Sequence, residues 1–177
     1  MKDLRFGENK QLVLRRVMLA VIIVVFAVLQ NACGMLKVPF AARPLLLIPL
    51  CVCVSMFESN TASALFGAFG GILWDVSAAC DGFNAVVIML FGAGCSLLIS
   101  HFMRNNIVTA LVLCASATAV YEILYAVIFK MLQGVSPVAG FFTYNIPAIL
   151  LTAVFIPVCY FIVKLVYGNG GASSYAG

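Results

Sequence analysis

Two carboxylates, Asp75 and Glu122, lie inside stretches of chain apolar enough to sit in lipid. A charge at the centre of a membrane helix costs about 2.5–3.5 kcal/mol on insertion scales, so each acid needs a physical reason to be there. Proton transfer would be one reason, but it needs a second titratable group within hydrogen-bond reach. The single histidine, His101, falls about 25 Å down its helix from Asn84, which stands at the level of the acids. Cation binding would be another, but two acids without further ligands do not make a site. The seven cysteines add none. Cys33, Cys51, Cys53, Cys95, Cys114 and Cys159 lie in apolar segments without a histidine or carboxylate at ligand spacing, and read as small packing residues. Cys80 falls in a loop. No glycine-rich phosphate loop and no Ser–His pair occurs. The expectation is no catalytic residue, no metal and no cofactor.

The spacing around Asp75 points instead to helix contacts. Ser63, Gly67, Gly71 and Asp75 recur every fourth residue and so share one helix face. Three small residues in that register make a groove that another helix can approach closely. Asp75 closes the groove at one end. Around Glu122 the pattern repeats, with Ala115, Thr118, Ala119 and Ala126 on its face. Asn84 and Asn145 begin two other helices at a similar depth, with Tyr121, Tyr125 and Tyr144 nearby. The polar residues Asp75, Asn84, Tyr121, Glu122, Tyr125 and Asn145 thus gather in one half of the bilayer, which predicts a polar cleft opening outward.

The elements that position them follow from composition. Of 177 residues, 64% are hydrophobic and 9% charged, against about 25% charged in soluble domains. The chain reads as an all-α integral membrane protein, one domain, with six transmembrane helices at about 17–36, 40–57, 61–77, 83–101, 107–129 and 142–166. The clean apolar part of the second is only 45–57, with Pro44 at its start and Pro49 placed to kink it. Residues 1–16 form a basic N-terminal segment, 17–167 the transmembrane domain, and 168–177 a polar tail expected to be disordered. Gln30 stands where a lipoprotein signal normally has leucine, so the first apolar run is read as a retained span. With the N-terminus in the cytoplasm, seven cations (Lys2, Arg5, Lys10, Arg15, Arg16, Arg104, Lys164) fall inside and three (Lys37, Arg43, Lys130) outside. Both termini are therefore expected in the cytoplasm. The net charge of +4 is a topology signal and implies no nucleic acid.

The stretch "GAFGGILWDVSAACDGFNAVVIMLFGAGC", residues 67–95, resembles the central signature of the MreD family of rod shape-determining membrane proteins. Gly70, Gly71, Asp75, Gly82, Asn84 and Ala85 match that signature. "YEILY", 121–125, resembles the fifth helix of Gram-positive members. "YNIPAILLTAVFIPVCY", 144–160, resembles the last helix, with Asn145, Pro157 and Tyr160 in place. The loop "SAACDG" departs from the commoner Ser-Gly-Gly-x-Gly form. The resemblance implies structural roles for Gly82 and Pro157, and a fold similar to the S subunits of energy-coupling-factor transporters. It also implies a non-enzymatic scaffold of the cell-elongation complex in a bacterial cytoplasmic membrane. An MreC-like bitopic partner would link such a scaffold to MreB, RodA and a penicillin-binding transpeptidase in lateral peptidoglycan synthesis. The groove at Ser63, Gly67, Gly71 and Asp75 either faces another helix of the chain or receives the partner's. Asp75 on its lip suits a wet, exchangeable contact, so the partner is the expectation. The alternative is a vitamin-binding S subunit. Its Ala-x-x-x-Ala motif is missing from the first helix, where Ala20, Ala27 and Ala32 are never four apart; Ala115 and Ala119 have the spacing on the fifth.

Overall fold

The computed structural model describes residues 2–35, 45–78, 82–101, 105–130 and 146–168, and every regular element among them is helical. They are α1 (Lys2–Met35), α2 (Leu47–Ser55), α3 (Asn60–Ala78), α4 (Phe83–His101), α5 (Ile107–Tyr125) and α6 (Ile146–Tyr167). A π-helical turn, Ala126–Lys130, continues α5. As helices, the third to fifth elements fall within a few residues of their expected places. Residues 169–177, expected as a disordered tail, lie outside the described set.

Three helical stretches are long and apolar enough to cross a membrane: Gln11–Asn31, Phe83–His101 and Ile107–Ile128. They mark the chain as a membrane protein. α3 is as long as α4, but its glycines, serines and Asp75 dilute its hydropathy. α1 is longer than expected, with 34 residues against the roughly 20 that a bilayer needs. It packs inward through one stripe, Leu19, Ile23, Ala27 and Gln30, and leaves Val17, Val21, Val24 and Val28 exposed.

At the centre stands α2. Every residue from 45 to 58 is buried, as expected of a helix that is apolar on all sides. It touches all five other helices. Its nine residues rise only about 14 Å, too little to cross a hydrocarbon core of about 30 Å. The described part of the second segment is thus a buried core helix, shorter than the expected span. Pro49 does not kink it. Pro49 lies in the first turn, where the missing N–H has no partner to lose.

A short helix inside an apolar medium leaves N–H groups at one end and C=O groups at the other without intrahelical partners. Here the N–H groups of Met56, Phe57 and Glu58 bond the carbonyls of Cys53 and Val54, and the surrounding elements serve the start of α2 and the turn that follows it. The Leu47 N–H donates to Gln30 Oε1 of α1 at 3.0 Å. The Leu45 N–H donates to Thr152 Oγ1 of α6 at 3.1 Å. At the far end, the carbonyl of Glu58 accepts from Ser63 Oγ of α3 and Ser96 Oγ of α4, both at 3.3 Å. Asn105 Nδ2, just before α5, donates to the Met56 carbonyl at 2.9 Å. Each neighbour thus commits one polar side chain to an end of α2.

Removing either N-terminal acceptor should strand a buried N–H. Gln30→Leu and Thr152→Val are each expected to destabilise the protein by about 1–3 kcal/mol. Ser77→Ala and Ser100→Ala remove exposed hydroxyls that bond only their own helices, and should stay within about 0.5 kcal/mol. Thermal melting in detergent compares the four. Wild-type midpoints for both buried variants would refute the capping role.

Candidate functional site

α3 and α4 run antiparallel in backbone contact. A Cβ built on Gly67 would lie 2.6 Å from the Ile88 carbonyl oxygen, and one on Gly71 2.6 Å from that of Asn84, against the Ala85 backbone. Across the seam, a Cβ on Gly92 would lie 2.6 Å from the Ser63 carbonyl oxygen. The four-residue stripe is a helix-docking groove, as its spacing predicts. The helix that fills it is α4 of the same chain. This corrects the expectation that Ser63, Gly67, Gly71 and Asp75 receive a partner: all four are buried, and no second helix fits where a methyl group does not.

Asp75 has a defined task at the end of this seam. Gly82 precedes α4 with φ +84°, a left-handed conformation that glycine adopts at little cost, and its carbonyl accepts the Val86 N–H. Gly82 therefore occupies the N-cap position of α4 but has no side chain to cap with. Asp75 supplies the missing acceptor from the preceding helix. Its Oδ1 accepts the Asn84 N–H at 3.1 Å and its Oδ2 the Ala85 N–H at 2.8 Å. These are the second and third residues of α4, the N–H groups an N-cap side chain normally serves. The carboxylate also sits at the positive end of the α4 dipole, where a negative charge is favoured.

The network continues into α5. Asn84, fully buried, accepts from the Tyr121 hydroxyl through Oδ1 at 2.7 Å. Tyr121 stacks on Trp74, with ring centroids 5.2 Å apart, and on Tyr125 at 6.2 Å. Phe83 packs against both tyrosines. Asp75, Asn84 and Tyr121 thus tie three helices together. Glu122 is buried on α5 beside Tyr121, and Tyr125 is partly buried. Asn145 lies outside the described residues. At these described positions, in place of the expected outward cleft, Asp75, Asn84 and Tyr121 form a buried hydrogen-bonded cluster, and Glu122 is buried on α5. Pro157 lies inside α6.

A second cluster, at the opposite end, is not evident in the sequence. Glu58 follows α2 with its side chain 2% exposed. Its Oε2 accepts from Arg16 Nη2 at 3.2 Å and its Oε1 from the Tyr167 hydroxyl at 2.6 Å. Tyr167 stacks on Phe57 at 5.2 Å. The partners are 42 and 109 positions away, so no local spacing reveals them. The available signal is a lone carboxylate closing the short apolar run of α2. His101 lies exposed on the last turn of α4, bonded to Ser100 and the Leu97 carbonyl of its own helix.

Comparison of the chain with family models, with curated proteins and with solved structures finds no match in any of the three.

The two devices of the seam are separable by substitution. Gly71→Ala should destabilise by about 1–3 kcal/mol through overpacking. Gly94→Ala meets nothing within 4 Å, and should be neutral or stabilising by up to about 1 kcal/mol from helix propensity. Asp75→Asn keeps one acceptor oxygen and should cost about 1–2 kcal/mol, less than Asp75→Leu, which leaves both N–H groups of α4 bare. Melting midpoints check the order; equal effects of Gly71→Ala and Gly94→Ala would refute the backbone contact.

Proposed function

We propose that the protein is a non-enzymatic membrane scaffold of the cell-elongation complex, similar in role to the MreD family. On this reading it crosses a bacterial cytoplasmic membrane six times, with both termini in the cytoplasm. It binds an MreC-like bitopic partner and, through it, serves MreB, RodA and a penicillin-binding transpeptidase in lateral peptidoglycan synthesis.

One observation carries the proposal. Five of the six residues that match the family signature, Gly71, Asp75, Gly82, Asn84 and Ala85, work at a single junction. Gly71 admits the backbone of Ala85, Asp75 caps Asn84 and Ala85, and Gly82 makes the turn between them. Gly70 faces Cys51 of α2, whose sulfur would stand 3.0 Å from a Cβ there. Residues that resemble a family pattern and share one physical task support common descent of that piece of structure. The polar cluster supports a scaffold over a vitamin-binding subunit, because Asp75, Asn84 and Tyr121 spend hydrogen bonds on one another. The partner must use a face other than the filled α3 groove.

Affinity purification in mild detergent tests the partnership. The tagged protein should retain a bitopic protein with a coiled-coil and an extracytoplasmic β domain. Retention of an ATPase energising module in its place would assign the S-subunit role instead.

The topology is tested by labelling with an impermeant maleimide in cells, one cysteine at a time with the rest replaced. Cys80 and a cysteine at Gln133 should react from outside. A cysteine at Ser173 should react only after permeabilisation; its reaction in intact cells would overturn the six-pass reading.

A further inference from the structure

We propose that the end of the bundle where Arg15 meets Tyr167 and Arg16 meets Glu58 binds the phosphate of an anionic phospholipid. The inference rests on α1 crossing a membrane and is independent of the scaffold reading.

Two consecutive guanidinium groups are fixed there against the same pair of residues. Arg16 is held by Glu58 and remains 47% exposed. The Arg15 guanidinium carbon lies 6.0 Å from the centroid of the Tyr167 ring, within cation–π range. Tyr167 donates to the same Glu58 carboxylate. Among the described side chains, Glu58 is the carboxylate at this end, so one negative charge faces two positive ones. Lys164, exposed on α6 in the turn that ends at Tyr167, adds a third cation to this end of the helix. Charge alone therefore favours an anion.

The position selects a lipid as its source. The unbroken apolar run of α1 begins at Val17, so Arg15 and Arg16 stand where acyl chains give way to headgroups. Basic groups placed there attract anionic lipid. Exposed apolar residues continue from the site into the hydrocarbon on both helices: Val17, Met18 and Val21 on α1, Phe161 and Leu165 on α6. α1 and α6 pack together, so a headgroup on the arginines has acyl-chain surface beneath it. Guanidinium donors match phosphate oxygens in paired geometry. A zwitterionic lipid brings its own cation to the site and is disfavoured.

The test uses the whole chain in detergent with added lipid. Cys51, Cys53, Cys95, Cys114 and Cys159 are free and buried, so a thiol-reactive dye reports unfolding. Phosphatidylglycerol should raise the melting midpoint by about 5 °C at saturation, and phosphatidylcholine should raise it little. In the variant Arg15→Gln/Lys164→Gln, which spares the Arg16–Glu58 pair, the difference between the two lipids should vanish. Equal rises with both lipids, or an undiminished difference in the variant, overturns the site. An equal rise with glycerophosphoglycerol, the headgroup without chains, would make it an anion site and overturn the lipid assignment. Mass spectrometry of wild-type protein exchanged into an equal mixture of the two lipids gives a readout free of any variant. Enrichment of phosphatidylglycerol is expected; retention in the mixing ratio refutes the proposal.

Discussion

Backbone groups at the ends of a helix need partners, and an apolar medium offers none. This constraint organises the molecule. α2 is too short to carry its ends out to water on both sides, so its N–H and C=O groups must be met inside the protein. Gln30 and Thr152 meet the N–H groups of Leu47 and Leu45 at one end; at the other, the turn after α2 bonds its last carbonyls, and Ser63, Ser96 and Asn105 hold the carbonyls of that turn. The five surrounding elements are thereby registered against a common centre, because a neighbour that slides along its axis loses its bond to α2. Apolar packing in lipid cannot fix that register alone, since side chains gain little by exchanging lipid for protein.

The same constraint shapes the α3–α4 hairpin. A glycine at the N-cap position permits a tight reversal but provides no acceptor. The acceptor comes from Asp75, and a carboxylate is the strongest that a side chain offers to a backbone N–H. Buried, it would be a liability alone; here both of its oxygens are bonded to N–H groups at a helix N-terminus. Gly67, Gly71 and Gly92 then let the two backbones meet, which brings Asp75 within reach of Asn84 and Ala85. Close approach and capping depend on each other. Neither feature has a separate purpose that would require a second protein at this face.

What was legible in the sequence was local. The period of four at Ser63, Gly67, Gly71 and Asp75 identified a groove and the residue at its lip, because helical register is a short-range property. The register of small residues cannot say which helix occupies the groove, and the occupant proved to be the next one in the chain. The depth of Asp75, Asn84 and Tyr121 placed them together correctly. Their exposure was misjudged, since depth in a span says nothing about which side chains fill the space between helices. Gln30, Thr152, Ser96 and Asn105 carried no visible signal. A polar residue in an apolar run looks the same whether it bonds its own helix, as Ser77 does, or the end of another.

The capping of α2 also imposes an order on biosynthesis. The acceptor for Leu45 lies 107 residues downstream, and the phenol that bonds Glu58 lies 109 downstream. At a translation rate of about 5–20 residues per second, the centre of the bundle waits on the order of ten seconds for the last helix to emerge. During that interval the amide of Leu45 and the carboxylate of Glu58 lack these partners, and water or the insertion machinery must serve them. α2 is early in the chain but late to be finished. The arrival of α6 completes both ends of α2 in the same movement.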